Sequence, residues 1–131
     1  MFLEEVIMLK SLLIVGIGSF FGGALRYYLS TLIKSCCSQG FPWGTLAVNL
    51  VGCLLFGMLF ALLHRMGLHH SSWALLLTTG LCGGFTTFST FALETADLMK
   101  AGHPVAAILY VLLSVLAGVA AVFMMESLSA S

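Results

Sequence analysis

The feature that most constrains this chain is how rarely charge interrupts its apolar stretches. From 7 to 33 the only charged side chains are Lys10 and Arg26, and from 44 to 63 and from 105 to 125 there are none. A soluble domain covers itself with charge, usually about a quarter of its residues. Here 8% are charged and mean hydropathy is +1.12, so no charged coat can be built. Lipid is the solvent such a chain suits, provided the backbone satisfies its own hydrogen bonds. A spanning helix takes roughly 20 residues. Four spans, at about 7–33, 44–63, 73–99 and 105–125, nearly use up the 131 residues. The expectation is an all-α integral membrane protein, one domain over 1–131 with no room for a soluble module.

The beginning of the chain reads as a retained helix. Glu4 and Glu5 stand where a cleavable signal is basic, and the apolar run behind them has no small-residue cleavage site. The net charge of zero and the absence of charge runs argue against nucleic acid as a partner. Cys36, Cys37, Cys53 and Cys82 contain no C-x-x-C pair, which argues against zinc and thioredoxin chemistry. Cys53 and Cys82 sit in apolar runs and read as small packing residues. His69 and His70 are neighbours in a polar link and read as solvated loop residues, since two adjacent loop histidines make a poor metal site.

Within the first span Gly18 and Gly22 form a G-x-x-x-G pair, which lets helices approach closely in lipid. The third span is different in kind. Gly80, Gly83 and Gly84 precede a hydroxyl-rich run, Thr86-Thr87-Phe88-Ser89-Thr90-Phe91. Glycine and β-branched threonine both weaken a helix, so this stretch predicts a break near the bilayer midplane. Broken helices at that depth occur where the freed backbone is buried or lines a cavity. They are a recurrent way of building ion sites.

Four spans put both termini and the second link on one side, with Lys10 and Arg65. The other side carries Arg26, Lys34 and Lys100. Two cations against three set no firm orientation. Either the sequence is uninformative, or copies insert both ways and pair as an antiparallel dimer, giving the inverted symmetry that transporters otherwise draw from internal repeats.

A few polar residues at membrane depth could carry chemistry. Asn49 serves either as a helix–helix hydrogen-bonding group or as an amide donor facing a polar path. Arg26 can snorkel toward the interface or face an aqueous mouth and attract anions. Glu94 suits a polar vestibule or a partner for Arg26, while Asp97 and Lys100 are spaced for a helical pair at a solvated end. Phe85, Phe88 and Phe91 recur every three residues, an unusual aromatic stripe because Thr87, Ser89 and Thr90 alternate with it. Phenyl rings are positive at their edge. Ring edges beside hydroxyl donors can hold a small anion loosely, and conduction needs binding weak enough to release the ion. Fluoride is a strong hydrogen-bond acceptor, and Asn, Ser and Thr supply the donors that replace its water.

With these residues in order the chain resembles the CrcB/Fluc family of fluoride channels. The resemblance rests on Gly22-Gly23-Ala24-Leu25-Arg26-Tyr27, on Gly44-Thr45-Leu46-Ala47-Val48-Asn49-Leu50-Val51-Gly52, and on Gly80-Leu81-Cys82-Gly83-Gly84-Phe85-Thr86-Thr87-Phe88-Ser89-Thr90-Phe91 with Glu94 following. Tyr110 and Ser114 match more loosely. It implies an antiparallel dual-topology homodimer in the inner (plasma) membrane, with two fluoride pores and a broken third helix. Asn49 matches the pore asparagine, and Phe88 and Phe91 match the phenylalanines whose edges face fluoride. Ser89, Thr90 and Ser114 match hydroxyls near the path, Tyr110 lines it, and Thr45, Glu94 and Arg26 match polar positions near its ends. Gly83 and Thr86 match the positions whose backbone carbonyls hold a central sodium ion. The implied role is passive fluoride export, with no enzyme activity.

Three rivals remain. A small dual-topology multidrug exchanger needs an intramembrane acid as its coupling group, and Glu94 is the sole deep one. A non-conducting assembly subunit would use its polar residues only to join helices. An intramembrane hydrolase lacks an activated nucleophile at depth.

Overall fold

The computed structural model describes residues 1–131, the side chains at 129 and 130 excepted. It is helical throughout, and the described residues contain no strand. Helix α1 runs Phe2–Cys36 and α2 runs Trp43–Arg65. The third span is composite. Its first half, α3 (72–85), opens as an α-helix at Ser72–Ala74, widens to a π-helix over Leu75–Cys82 and returns to α at Gly83–Phe85. Its second half, α4, runs Phe88–Lys100. Helix α5 runs Pro104–Ala130. Four spans are long and apolar enough to cross a membrane: Phe2–Cys36, Trp43–Arg65, Ser72–Lys100 and Pro104–Leu128. Their ends lie a few residues outside those expected from the sequence, α1 starting at Phe2 rather than near Ile7.

Local chemistry explains the ends. Ser71 Oγ accepts from Ala74 N at 3.3 Å and caps α3. The α4–α5 link turns at Gly102, whose φ of 80° suits a residue without a side chain, and Pro104 then opens α5 with a preset φ. Around the second link the rings of His64, at the end of α2, His69 and His70 lie next to one another in tilted pairs, centroids 4.9 and 4.2 Å apart. Among the described residues no group of three or more His, Cys, Asp or Glu is arranged to hold a metal ion.

Packing is carried by backbone contact as much as by side chains. Helix α1 lies against the π-helical part of α3, and α2 lies along α5. A Cβ added at Gly18 would sit 2.5 Å from Leu76 O and 2.9 Å from Gly80 Cα, and one at Gly22 would collide with Leu81 O. The G-x-x-x-G pair is therefore the contact face between α1 and α3, as its spacing implies. Long apolar side chains such as Phe20, Leu116 and Phe123 point outward, the arrangement that lipid as solvent predicts. The buried cluster is small: Leu46, Leu98, Ala107 and Tyr110, with Phe41, Leu50, Phe91 and Ala106 against it. It joins α2, α4 and α5.

Candidate ion pathway

The break in the third span falls at Thr86 and Thr87, both extended, with φ, ψ of −87°, 158° and −147°, 120°. They lie at the middle of the Ser72–Lys100 span. Two substitutions of hydrogen-bond partner make the break possible. Thr87 N–H, which a continuous helix would give to the Gly83 carbonyl, donates to Asn49 Oδ1 at 2.7 Å, and Asn49 Nδ2 donates to Thr87 O at 3.0 Å. Thr90 N–H, which would go to the Thr86 carbonyl, donates to Thr87 Oγ1 at 3.3 Å and caps α4. The carbonyls of Gly83 and Thr86 are thereby freed from their helical donors.

Asn49 thus makes the helix–helix hydrogen bond that its apolar setting suggests, and it does so with a backbone. An amide carries two N–H donors. One goes to Thr87, so the other is left for a further acceptor. Similarly Thr87 Oγ1 donates to Thr90 Oγ1 at 3.0 Å, which leaves the Thr90 hydroxyl proton uncommitted within this triad. Ser89 is exposed, its Oγ 3.5 Å from Thr87 Oγ1.

From the break, one face of α4 leads outward. Phe88 is 79% exposed. Its ring centroid is 5.6 Å from that of Phe91, and Phe91 is 5.0 Å from Tyr110. One turn further along, Glu94 is held on both oxygens: Tyr110 OH donates to Oε2 at 2.8 Å and Thr45 Oγ1 to Oε1 at 2.9 Å. Both donors are buried. Lys34 Nζ lies 3.5 Å from the same Oε1. Glu94 then opens into a cleft of about 560 Å³ between the first link and the end of α4, lined also by Lys34, Asp97 and His103. Phe88, Phe91 and Glu94 are spaced three apart, each step rising about 4.5 Å along the axis. The row therefore runs from the break to the cleft.

Several expectations need correcting. Glu94 does not pair with Arg26. Arg26 Nε donates to the Gly84 carbonyl at 3.2 Å, on the side where α1 meets α3, and Lys34 takes its place beside Glu94. The reason is geometric, since Arg26 belongs to the α1 face that carries Gly22 and contacts the end of α3. Asp97 and Lys100 form no ion pair among the described residues. The aromatic stripe is not continuous either. Phe85 precedes the break and is buried near Gly52, whereas Phe88 and Phe91 follow it on another helix. Ser114, one turn beyond Tyr110 on the same face of α5, borders a different cleft with Cys53 and Gly118, and among the described residues its buried Oγ has no partner. Two roles in the site escaped sequence reasoning. Thr87 carries the backbone that Asn49 clamps, and a threonine three residues before Thr90 is a readable capping signal. Lys34 lies far from Glu94 in sequence, and nothing local marks it.

The sequence family described as CrcB-like protein, Camphor Resistance (CrcB), matches residues 13–125. This chain belongs to the CrcB family. Relatives named Fluoride-specific ion channel FluC include one from Leptospira interrogans, 41% identical over 114 residues, which cover 87% of this chain and 90% of that protein. Another, from Phocaeicola vulgatus, is 42% identical over 116 residues, 88% of this chain and 95% of its own. A third, from Ruminiclostridium cellulolyticum, is 45% identical over 101 residues, 77% of this chain and 78% of its own. The matched region of this CrcB chain takes in the G-x-x-x-G pair, Asn49, the break and the whole row from Phe88 to Glu94.

Proposed function

We propose that this CrcB chain is a passive, fluoride-selective channel that lets cytoplasmic fluoride leave down its electrochemical gradient. The observation that carries the reading is the Asn49–Thr87 clamp, because it holds a helix open and leaves donors uncommitted beside the Phe88–Phe91 row. Those donors are neutral. Asn49 and Thr90 offer N–H and O–H, and the phenyl rings offer positive edges. The start of α4 adds the positive end of its dipole. A dehydrated fluoride meets many weak partners there and no full cation to trap it. Ser89, Tyr110 and Thr45 extend the polar lining toward the ends, and Ser114, bordering another cleft, belongs to the lining only if a partner subunit completes it.

The working unit in this proposal is an antiparallel homodimer with two pores. Phe88 is exposed in the single subunit, as a residue completed by a partner would be. The near-even cation count on the two sides supports insertion both ways. A central sodium ion belongs to the same reading. The residues that would hold it are Gly83 and Thr86, and the freed carbonyls at these positions suit a hard cation. When bound, it would supply a fixed positive charge at the centre of the dimer.

Fluoride efflux from liposomes carrying the purified protein tests the channel, with chloride efflux as control. Fast fluoride release without chloride release is expected, and Phe88→Ile should slow it at least tenfold by removing one ring edge from the row. Equal flux through F88I would remove the ring-edge account, and no fluoride release by the folded wild type would remove the channel.

A further inference from the structure

We propose that Lys34 keeps the mouth of the pathway passable to an anion. This rests on the channel reading above. The cleft at the mouth presents two carboxylates, Glu94 and Asp97, to anything that enters it. Lys34 is the one lysine or arginine lining it, since Arg26 is held at Gly84 and Lys100 is not part of the wall. His103 also lines it. An anion arriving from water therefore meets two negative charges and one positive.

Glu94 cannot simply be discarded, because its carboxylate joins α2, α4 and α5 through Thr45 and Tyr110. It leaves a negative charge beside the row that the anion must pass. Lys34 offsets that charge from 3.5 Å. The separation is longer than the roughly 2.7–2.9 Å of a tight charge-assisted hydrogen bond, and the lysine is 57% exposed while Glu94 is 17% exposed. A compact ammonium on a flexible stem, loosely held and facing water, can offset the carboxylate and also meet an incoming anion. Glu94 has no such freedom. The pair is thus asymmetric, with a fixed acid inside and a movable cation outside.

Charge at a mouth acts through the field that concentrates the permeating ion, so its effect falls as salt rises. Unitary fluoride currents in planar bilayers read this directly. They should be recorded at about 10 mM ionic strength, where charges act over ~30 Å, and at about 1 M, where they act over ~3 Å. At low salt K34Q should lower the fluoride current about three- to fivefold, K34E should lower it further and K34R should retain it. At high salt all four proteins should converge. Asp97→Asn, at an exposed acid in no ion pair, should raise the low-salt current and gives a reading even if K34Q folds poorly. Selectivity over chloride should stay unchanged in K34Q, because the Phe88 row is untouched. A K34Q current equal to wild type at low salt, a K34Q loss of the same size at both salts, or a D97N current at or below wild type would overturn the proposal. A wild type without fluoride current is a separate failure, visible before any variant is made, and removes the channel reading itself.

Discussion

Asn49 replaces a stretch of helix. Its side chain supplies the acceptor that Thr87 N–H lacks and the donor that Thr87 O can use, so one amide satisfies both polar groups of one extended residue. In hydrocarbon no water can stand in for it. Asn49→Ala should therefore destabilise the fold by about 1–3 kcal/mol for each group left bare. Asn49→Asp keeps the acceptor but turns a carboxylate oxygen onto Thr87 O and brings a charge to membrane depth, so it should cost at least as much as alanine. Equilibrium unfolding in mixed micelles gives the ranking, and an N49A as stable as wild type would show that the break holds itself. The polarity of Asn49 within Leu46–Val51 is plain in the sequence, but its partner is not. The partner is a backbone 38 residues away, and no side-chain pattern announces a backbone. The pairing of Lys34 with Glu94 also hides from local reading, because its two side chains come from distant parts of the chain, whereas the capping hydroxyl of Thr87 acts on its own neighbourhood and is legible.

At the scale of elements, the spans and the α1–α3 contact follow from hydropathy and glycine spacing. Gly18 and Gly22 touch the backbone of α3, while Gly16, two residues before Gly18, has nothing within 4 Å of an added Cβ. This gives a matched pair of substitutions. Gly22→Val must push α1 away from Leu81 and Phe85 and should cost about 1–3 kcal/mol, as overpacking does. Gly16→Ala, with the same loss of glycine but no neighbour to meet, should be neutral or slightly stabilising. Equal effects of the two in a micelle unfolding assay would mean that contact with α3 does not govern these positions. The break in the third span is legible as a glycine- and threonine-rich run, yet its place at Thr86 and Thr87 is decided by which carbonyls lose their donors to Asn49 and Thr87. The π-helix at Leu75–Cys82 carries no such signature. Leu-Leu-Leu-Thr-Thr-Gly-Leu-Cys reads equally well as α, and the wider turn becomes evident only beside α1. The phenylalanine stripe misled because a spacing of three has meaning only within one helix, and Phe85 lies before the break.

For the whole molecule, orientation is a contest among five cations, and the structure weakens one side of it. Lys10 and Arg65 belong to the side of the termini, and Arg26, Lys34 and Lys100 to the other. Of the latter three, Arg26 is engaged by a carbonyl at the α1–α3 contact and Lys34 stands beside a carboxylate. The majority of three against two is therefore softer than the count, and a small change should tip it. His69 and His70 are exposed in the second link, away from the Phe88–Glu94 row. Replacing both with lysine adds two cations to the Lys10 and Arg65 side and should drive insertion to one orientation. Cys36 and Cys37, exposed at the far end of α1, report the result through a membrane-impermeant maleimide. In the wild type about half of the protein should label from each side, as near-balanced charge implies. In the double lysine variant labelling should become one-sided. If pores form only between opposed subunits, fluoride flux should vanish with it although each subunit still folds. Coexpression with a K10Q/R65Q chain, biased the opposite way, should then restore flux. Full flux from a one-sided population would mean that parallel or single subunits conduct, and that the exposed face of Phe88 meets lipid or a parallel neighbour instead of an inverted copy.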